Sequence, residues 1–163
     1  MNITRRLHAI AWLGAVLGAL MATLAVSGAA QAATPSMSRA GGHAIVAPPA
    51  PSGVQVAGVA PSISPAVSTK RVGPFGAYTC PSGTLCAWAW DSTTSTWLIF
   101  NLFKCSTYAL SNWVGGGAYQ DAQTGGVRST FYGRTGNALK SFTPDGGAMH
   151  QYDWTSVWFI KNC

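Results

Sequence analysis

Few residues in this 163-residue chain could carry acid–base chemistry. Glutamate is absent, and the carboxylates are Asp91, Asp121, Asp145 and Asp153. His150 lies between Asp145 and Asp153, a spacing that superficially resembles a proton relay. Asp145 precedes Gly146-Gly147, however, and an aspartate at such a turn ordinarily accepts from backbone amides. A structural aspartate beside a surface histidine is the reading we adopt. The chain has no HExxH helix and no GxSxG elbow. A zinc site needs three or four convergent ligands, and His150 is the only histidine of the aromatic-rich block. The residues therefore point to no catalytic group, no metal site and no cofactor.

The second reactive set is Cys80, Cys86, Cys105 and Cys163, opening with the tight loop CPSGTLC. An even count in an exported chain reads as disulfides, and four cysteines allow three pairings. Chain entropy gives about 2.3 kcal/mol for 80–86 with about 4.2 for 105–163, and about 4.6 with 3.3 for 80–163 with 86–105. That difference does not choose between them. A thiol nucleophile would need a free cysteine near a histidine, so an enzyme is not expected.

The third set is aromatic. Trp88, Trp90, Trp97, Trp113, Trp154 and Trp158 lie within 91 residues. Large aromatics build small β cores, but six indoles exceed what so small a core readily hides. Trp97, beside a Ser/Thr turn, and Trp113, beside three glycines, are the ones expected at the surface, where an exposed aromatic is a usual binding anchor. The candidate binding surface is Asp91, Ser92, Thr93, Thr94, Trp97 and Trp113.

Three segments would position these residues. Residues 1–32 carry Arg5-Arg6, a long apolar run and a final Ala30-Gln31-Ala32, the order of a secretory signal peptide. Residues 33–72 contain no aromatic residue or cysteine. Such a segment buries too little apolar surface to offset its ordering entropy, so it is expected to be a disordered Pro/Ala/Ser-rich tether. Lys70-Arg71 near its end is a candidate trimming site. Residues 73–163 hold all four cysteines and 17 of the 18 aromatic residues. In that block five basic residues face four aspartates. The formal net charge of +6 for the whole chain is thus mostly outside it, and scattered cations do not make a nucleic-acid face.

The block reads as short strands broken by turn residues. Cys86 to Trp90 alternates small and large and should place Trp88 and Trp90 on one face. Trp97 to Phe103, Val127 to Tyr132, Asn137 to Phe142 and Ser156 to Ile160 read as further strands. Residues 113–117, 124–126 and 144–147 read as loops. Leu85 to Phe100 and Val127 to Phe142 share a sixteen-residue strand–turn–strand pattern, followed at similar distance by Asn112-Trp113 and Asp153-Trp154. Two such units would bury a shared apolar face.

CPSGTLCAW, LSNW at Leu110 to Trp113 and QTGG at Gln123 to Gly126 resemble the small secreted actinobacterial proteins of peptidase inhibitor family I36, the Streptomyces metalloproteinase inhibitor-like proteins. The resemblance covers Tyr78 to Cys163. It implies an all-β fold, a compact βγ-crystallin-like Greek-key sandwich stapled by two disulfides, an extracellular location and inhibition of a secreted protease. The chain departs from that family in lacking glycine in the first hairpin, Asp91 to Trp97. The crystallin calcium signature is also unmatched. Its nearest approach, Gln120 to Gly125, supplies one carboxylate where a tight calcium site wants several hard oxygens.

The expectation is a secreted, monomeric, non-enzymatic binding protein. Its partner would be a secreted protease, engaged through Asp91 to Trp97, or an extracellular glycan or cell-envelope polymer. A purely structural extracellular role is the third reading. No nucleic acid, and no membrane after signal cleavage, is expected as a partner.

Overall fold

The computed structural model of the chain describes residues 44–52 and 58–163. The expected signal peptide at 1–32 lies outside the described residues, as do residues 33–43 and 53–57 of the expected tether.

Twelve strands make up the described part: β1 Ala44–Val46, β2 Ser62–Ser64, β3 Ser68–Val72, β4 Ala77–Thr79, β5 Leu85–Asp91, β6 Thr96–Leu102, β7 Thr107–Ser111, β8 Gly116–Asp121, β9 Ser129–Tyr132, β10 Ala138–Phe142, β11 Met149–Asp153 and β12 Phe159–Lys161. They form two five-stranded antiparallel sheets and a two-stranded ribbon. The first sheet has the order β11-β8-β5-β6-β3, the second β10-β9-β12-β7-β2, and the ribbon pairs β1 with β4. The fold is therefore all-β and antiparallel. Among the described residues, no helix is long and apolar enough to cross a membrane.

The sixteen-residue repeat falls on two hairpins, β5–β6 in the first sheet and β9–β10 in the second. After each hairpin the chain crosses to the opposite sheet for one strand, β7 or β11. It then returns, and β8 pairs with β5 while β12 pairs with β9. Trp113 and Trp154, the paired tryptophans of the repeat, meet edge-to-face between the sheets at 5.1 Å between ring centres.

The core between the sheets gathers Leu85, Ala87, Leu98, Phe100, Tyr119, Phe131, Trp154 and Ile160. Strand alternation sends the intervening side chains of β5 and β6 outward. Cys86, Trp88, Trp97 and Ile99 form a second core on the outer face of the first sheet. Trp88 and Trp90 share that face, as alternation requires; Trp88 is fully buried and Trp90 half-buried.

The expected tether is corrected over its described part. Three of its pieces are strands: β1 joins the ribbon, β2 is an edge of the second sheet, and β3 is an edge of the first. This arm has few large apolar side chains of its own. It is held instead by backbone pairing to strands that have them, and Ala47 and Val72 pack into the outer core.

One expected loop and one expected strand are also corrected. Gly116 and Gly117 begin β8. Gly117 is needed there, because a Cβ would overlap the Trp154 indole and the Trp88 carbonyl. The Trp154 Nε1–H donates to that carbonyl at 2.7 Å. The expected closing strand from Ser156 starts only at Phe159; Trp154–Ser156 is a single 3-10 turn.

The disulfides are Cys80–Cys86 and Cys105–Cys163. The first is wholly buried in the outer core. The second ties the chain end behind β12, a three-residue strand between β7 and β9.

Candidate binding surface

Asp91 ends β5 and is completely buried. Its Oδ1 accepts from the Thr93 amide at 3.0 Å and the Thr93 hydroxyl at 2.5 Å, the pattern of an Asx turn. Its Oδ2 accepts from Arg71 at 2.5 Å. Burial alone would raise this carboxyl; hydrogen bonds from Thr93 and Arg71 outweigh it and hold the group below the usual aspartate range. The same Arg71 nitrogen donates to the Thr94 and Thr96 hydroxyls at 2.6 and 3.2 Å. The β5–β6 turn is thus braced from β3, and Thr93, Thr94 and Ser95 face solvent. Lys70-Arg71, the candidate trimming site, lies within edge strand β3.

The structure brings Asp91, Ser92, Thr93 and Thr94 together in that turn, but it corrects the two tryptophans. Trp97 is 2% exposed and Trp113 is 4% exposed. Each is covered by the arm. The Trp97 Nε1–H donates to the Pro48 carbonyl at 2.9 Å, and the Trp113 Nε1–H donates to the Ser62 carbonyl at 2.8 Å. They belong to different cores and form no common platform. Neither indole is at the surface, because the segment expected as a tether packs over both.

Among the described residues the exposed indole is Trp158, 42% exposed, with the Arg134 guanidinium 5.1 Å over its ring, a cation–π arrangement. An open groove of about 360 Å³ runs beside it, lined by Asn112, Val114, Thr155 and Val157 among others. Phe75 is also exposed, and was not singled out in the sequence. Its signal was the turn sequence Gly73-Pro74-Phe75-Gly76, which places an aromatic where turns favour glycine.

At the other end of β8 lies the acid–base cluster. Asp145 Oδ1 accepts from the Gly147 and Ala148 amides at 3.3 and 3.2 Å, the turn role expected for it. Its Oδ2 contacts His150 Nε2 at 2.5 Å, and the His150 ring stacks on Tyr119 at 5.0 Å. Burial, then the charges of Asp145 and Asp121, push the Tyr119 hydroxyl up to about 12. Asp121 is 1% exposed and its Oδ2 has no hydrogen-bond partner among the described residues. Burial pushes its carboxyl up to about 6. Among the described residues, no group of three or more His, Cys, Asp or Glu side chains could hold a metal ion.

No protein-family model, curated protein or solved structure matches the chain. The braced turn and the exposed aromatics are thus read from this structure alone.

Proposed function

We propose that the protein is a secreted, non-enzymatic binding module that inhibits an extracellular protease. The observation that carries this reading is the β5–β6 turn. Its exposed threonine and serine side chains stand on a scaffold fixed in advance by the buried Asp91 carboxylate and the half-exposed Arg71 that pairs with it. A pre-organised loop docks with little further ordering cost, which is what an inhibitory loop requires. Two disulfides, which form in exporting compartments, support secretion. The strand orders support two interlocked Greek-key units of βγ-crystallin type, each a hairpin, a strand in the opposite sheet and a return strand. That topology in turn supports kinship with the I36 inhibitors.

The test is titration of the purified protein against secreted metallo- and serine endopeptidases. Inhibition at micromolar protein or below is expected for at least one. Absence of inhibition across both classes would refute the proposal.

A second reading, a carbohydrate-binding module, is favoured by one observation: Trp158 stands exposed beside a groove of about 360 Å³, and sugars stack on such rings. Retention on peptidoglycan, chitin or glucan, abolished by Trp158→Ala, would select it.

A further inference from the structure

Among the described residues, three non-glycine residues have positive φ: Phe75 at 61°, Ser95 at 52° and Asn112 at 62°. Asparagine tolerates this region, whereas a bulky residue there is a genuine outlier. Phe75 is the bulky one, and its side chain is 70% exposed. Packing therefore does not offset the strain. Glycine would serve this turn at less cost, so the fold gains little from a phenylalanine here. Strain of this kind points toward function.

The turn is nonetheless rigid. Gly76 donates to the Gly73 carbonyl at 3.0 Å, Phe75 to the Ala47 carbonyl at 3.1 Å, and Ala47 to the Gly76 carbonyl at 2.8 Å. Proline second and a positive φ third is the type II pattern. A side chain at Gly76 would press on Val72. Val46, the last residue of β1 and one position before the Ala47 that Phe75 bonds, is 62% exposed.

Register places this knob next to the braced turn. Val72, the last residue of β3, pairs with Trp97, while Asp91 pairs with Thr96 across the β5–β6 turn. Arg71, one residue earlier, reaches Thr94 and Thr96. Phe75 and Thr93 to Ser95 therefore lie at one end of the first sheet.

We infer that Phe75 is the anchor by which the protein docks into its partner, and that the partner is a secreted endopeptidase whose specificity pocket takes bulky apolar side chains. This rests on the inhibitor reading above. One aromatic knob with a hydroxyl-rich turn beside it fits a pocket one side chain deep. A stable interface buries roughly 800 Å² on each partner, so Phe75 is the anchor and the braced turn beside it supplies the remaining contact. The backbone at Phe75 is left-handed rather than extended, so it does not lie as a cleavable strand and the knob blocks without being cut.

The experiment compares the intact secreted protein with Phe75→Ala, Phe75→Gly and Phe103→Ala. Phe103 is equally exposed at 70% but follows β6 at the opposite end of the sheet. The probes are a chymotrypsin-like and a thermolysin-like endopeptidase, which accept bulky apolar side chains, and a trypsin-like one, which does not. The wild type is expected to inhibit one of the first two and not the third. Phe75→Ala and Phe75→Gly should weaken inhibition by about 30-fold or more, the scale of an interface hot spot. Phe103→Ala should inhibit like the wild type. Phe75→Gly should melt no lower than the wild type, which separates lost binding from lost fold. Inhibition unchanged in Phe75→Ala, or cleavage between Phe75 and Gly76, would overturn the anchor while leaving the inhibitor reading standing. No inhibition by the wild type would remove both. Sedimentation as a dimer that Phe75→Ala dissociates would assign the knob to a second copy and overturn the endopeptidase.

Discussion

The two faces of the first sheet are covered by different kinds of polypeptide. Its inner face meets another sheet, and the contact is aromatic on aromatic: Phe100 on Trp113, Trp113 on Trp154, Tyr119 on Phe131. Its outer face carries indoles just as deeply buried, Trp88 and Trp97, but the cover beyond the ribbon is a stretch of prolines and alanines. That cover contributes small side chains and backbone acceptors, such as the Pro48 carbonyl that takes the Trp97 proton. Burial needs an apolar partner on only one side of the contact. The other side can be almost any backbone that is held in place.

The inner face should be the more sensitive to substitution. Trp154→Ala removes the indole at the meeting point of the two repeats and should cost about 3–5 kcal/mol, read as the shift in urea midpoint. Gly117→Ala should destabilise in the same direction by displacing that indole, whereas Gly116→Ala, with open space around it, should be silent. Equal effects at the two glycines would contradict the packing described.

The disulfides divide the same way. Cys105–Cys163 joins residues 58 apart and its Cys105 is exposed, while Cys80–Cys86 joins residues 6 apart and is fully buried. Removing the first by Cys105→Ser with Cys163→Ser should cost about 4 kcal/mol, and removing the second about 2 by chain entropy alone. Mild reductant followed by thiol labelling should modify Cys105 and Cys163 first. Prior labelling of Cys80 and Cys86 would show that the outer face opens more readily than the inner account allows.

The inner parts were largely legible in the sequence. Strand β5 was visible in the alternation of Cys86 to Trp90, and the β9–β10 hairpin in the turn residues between its strands. The repeat was visible because each unit ends in an acidic or amide residue before a tryptophan. What was not legible depended on partners far along the chain. β8 begins with two glycines and looks like a loop until Trp154, 37 residues beyond Gly117, is seen to occupy the missing side chain's place. The arm looks like a tether because composition reports what a segment buries of itself, not what it covers. Trp97 and Trp113 were misplaced for that same reason. The Asp91 turn was legible as a turn, but its brace was not, since nothing in the spacing ties Arg71 to Asp91 across twenty positions.

Electrostatics offers a smaller test. Neighbours Gln120 and Asp121 point to opposite faces. On the outer face Gln120 is satisfied, accepting from Trp88 at 3.0 Å and donating to the Gly147 carbonyl at 3.1 Å. Asp121, on the inner face, is satisfied at Oδ1, which accepts from the Gln123 amide at 3.1 Å, but not at Oδ2. Its carboxyl is raised from 3.8 to about 6, so the folded state holds its proton more tightly than the unfolded chain. That contribution is full below about pH 4 and is lost as the pH rises through about 6. Two pK units correspond to at most about 3 kcal/mol. Asp121→Asn should raise the melting temperature at pH 8 and change it little at pH 4. Asp91 and Asp153, held low by their hydrogen bonds, act in the opposite sense, losing their contribution as the pH falls through their lowered values. A variant as pH-dependent as the wild type between pH 4 and 8 would show that Asp121 is not the group responsible.

The smallest expected effect lies on the outer face. Trp97→Phe keeps an aromatic ring but deletes the donor to Pro48, and should cost about 1 kcal/mol in the urea midpoint. A loss as large as that of Trp154→Ala would mean that the proline cover is as demanding as the aromatic core.

The arm is part of the fold and shields the indoles of Trp97 and Trp113. Hydrogen exchange at the assigned indole Nε1–H groups, followed by nitrogen-15 NMR of the intact protein, tests this directly. Trp97 and Trp113 should exchange slowly, while the exposed Trp158 exchanges fast. Exchange at Trp97 and Trp113 as rapid as at Trp158 would show that the arm does not cover them.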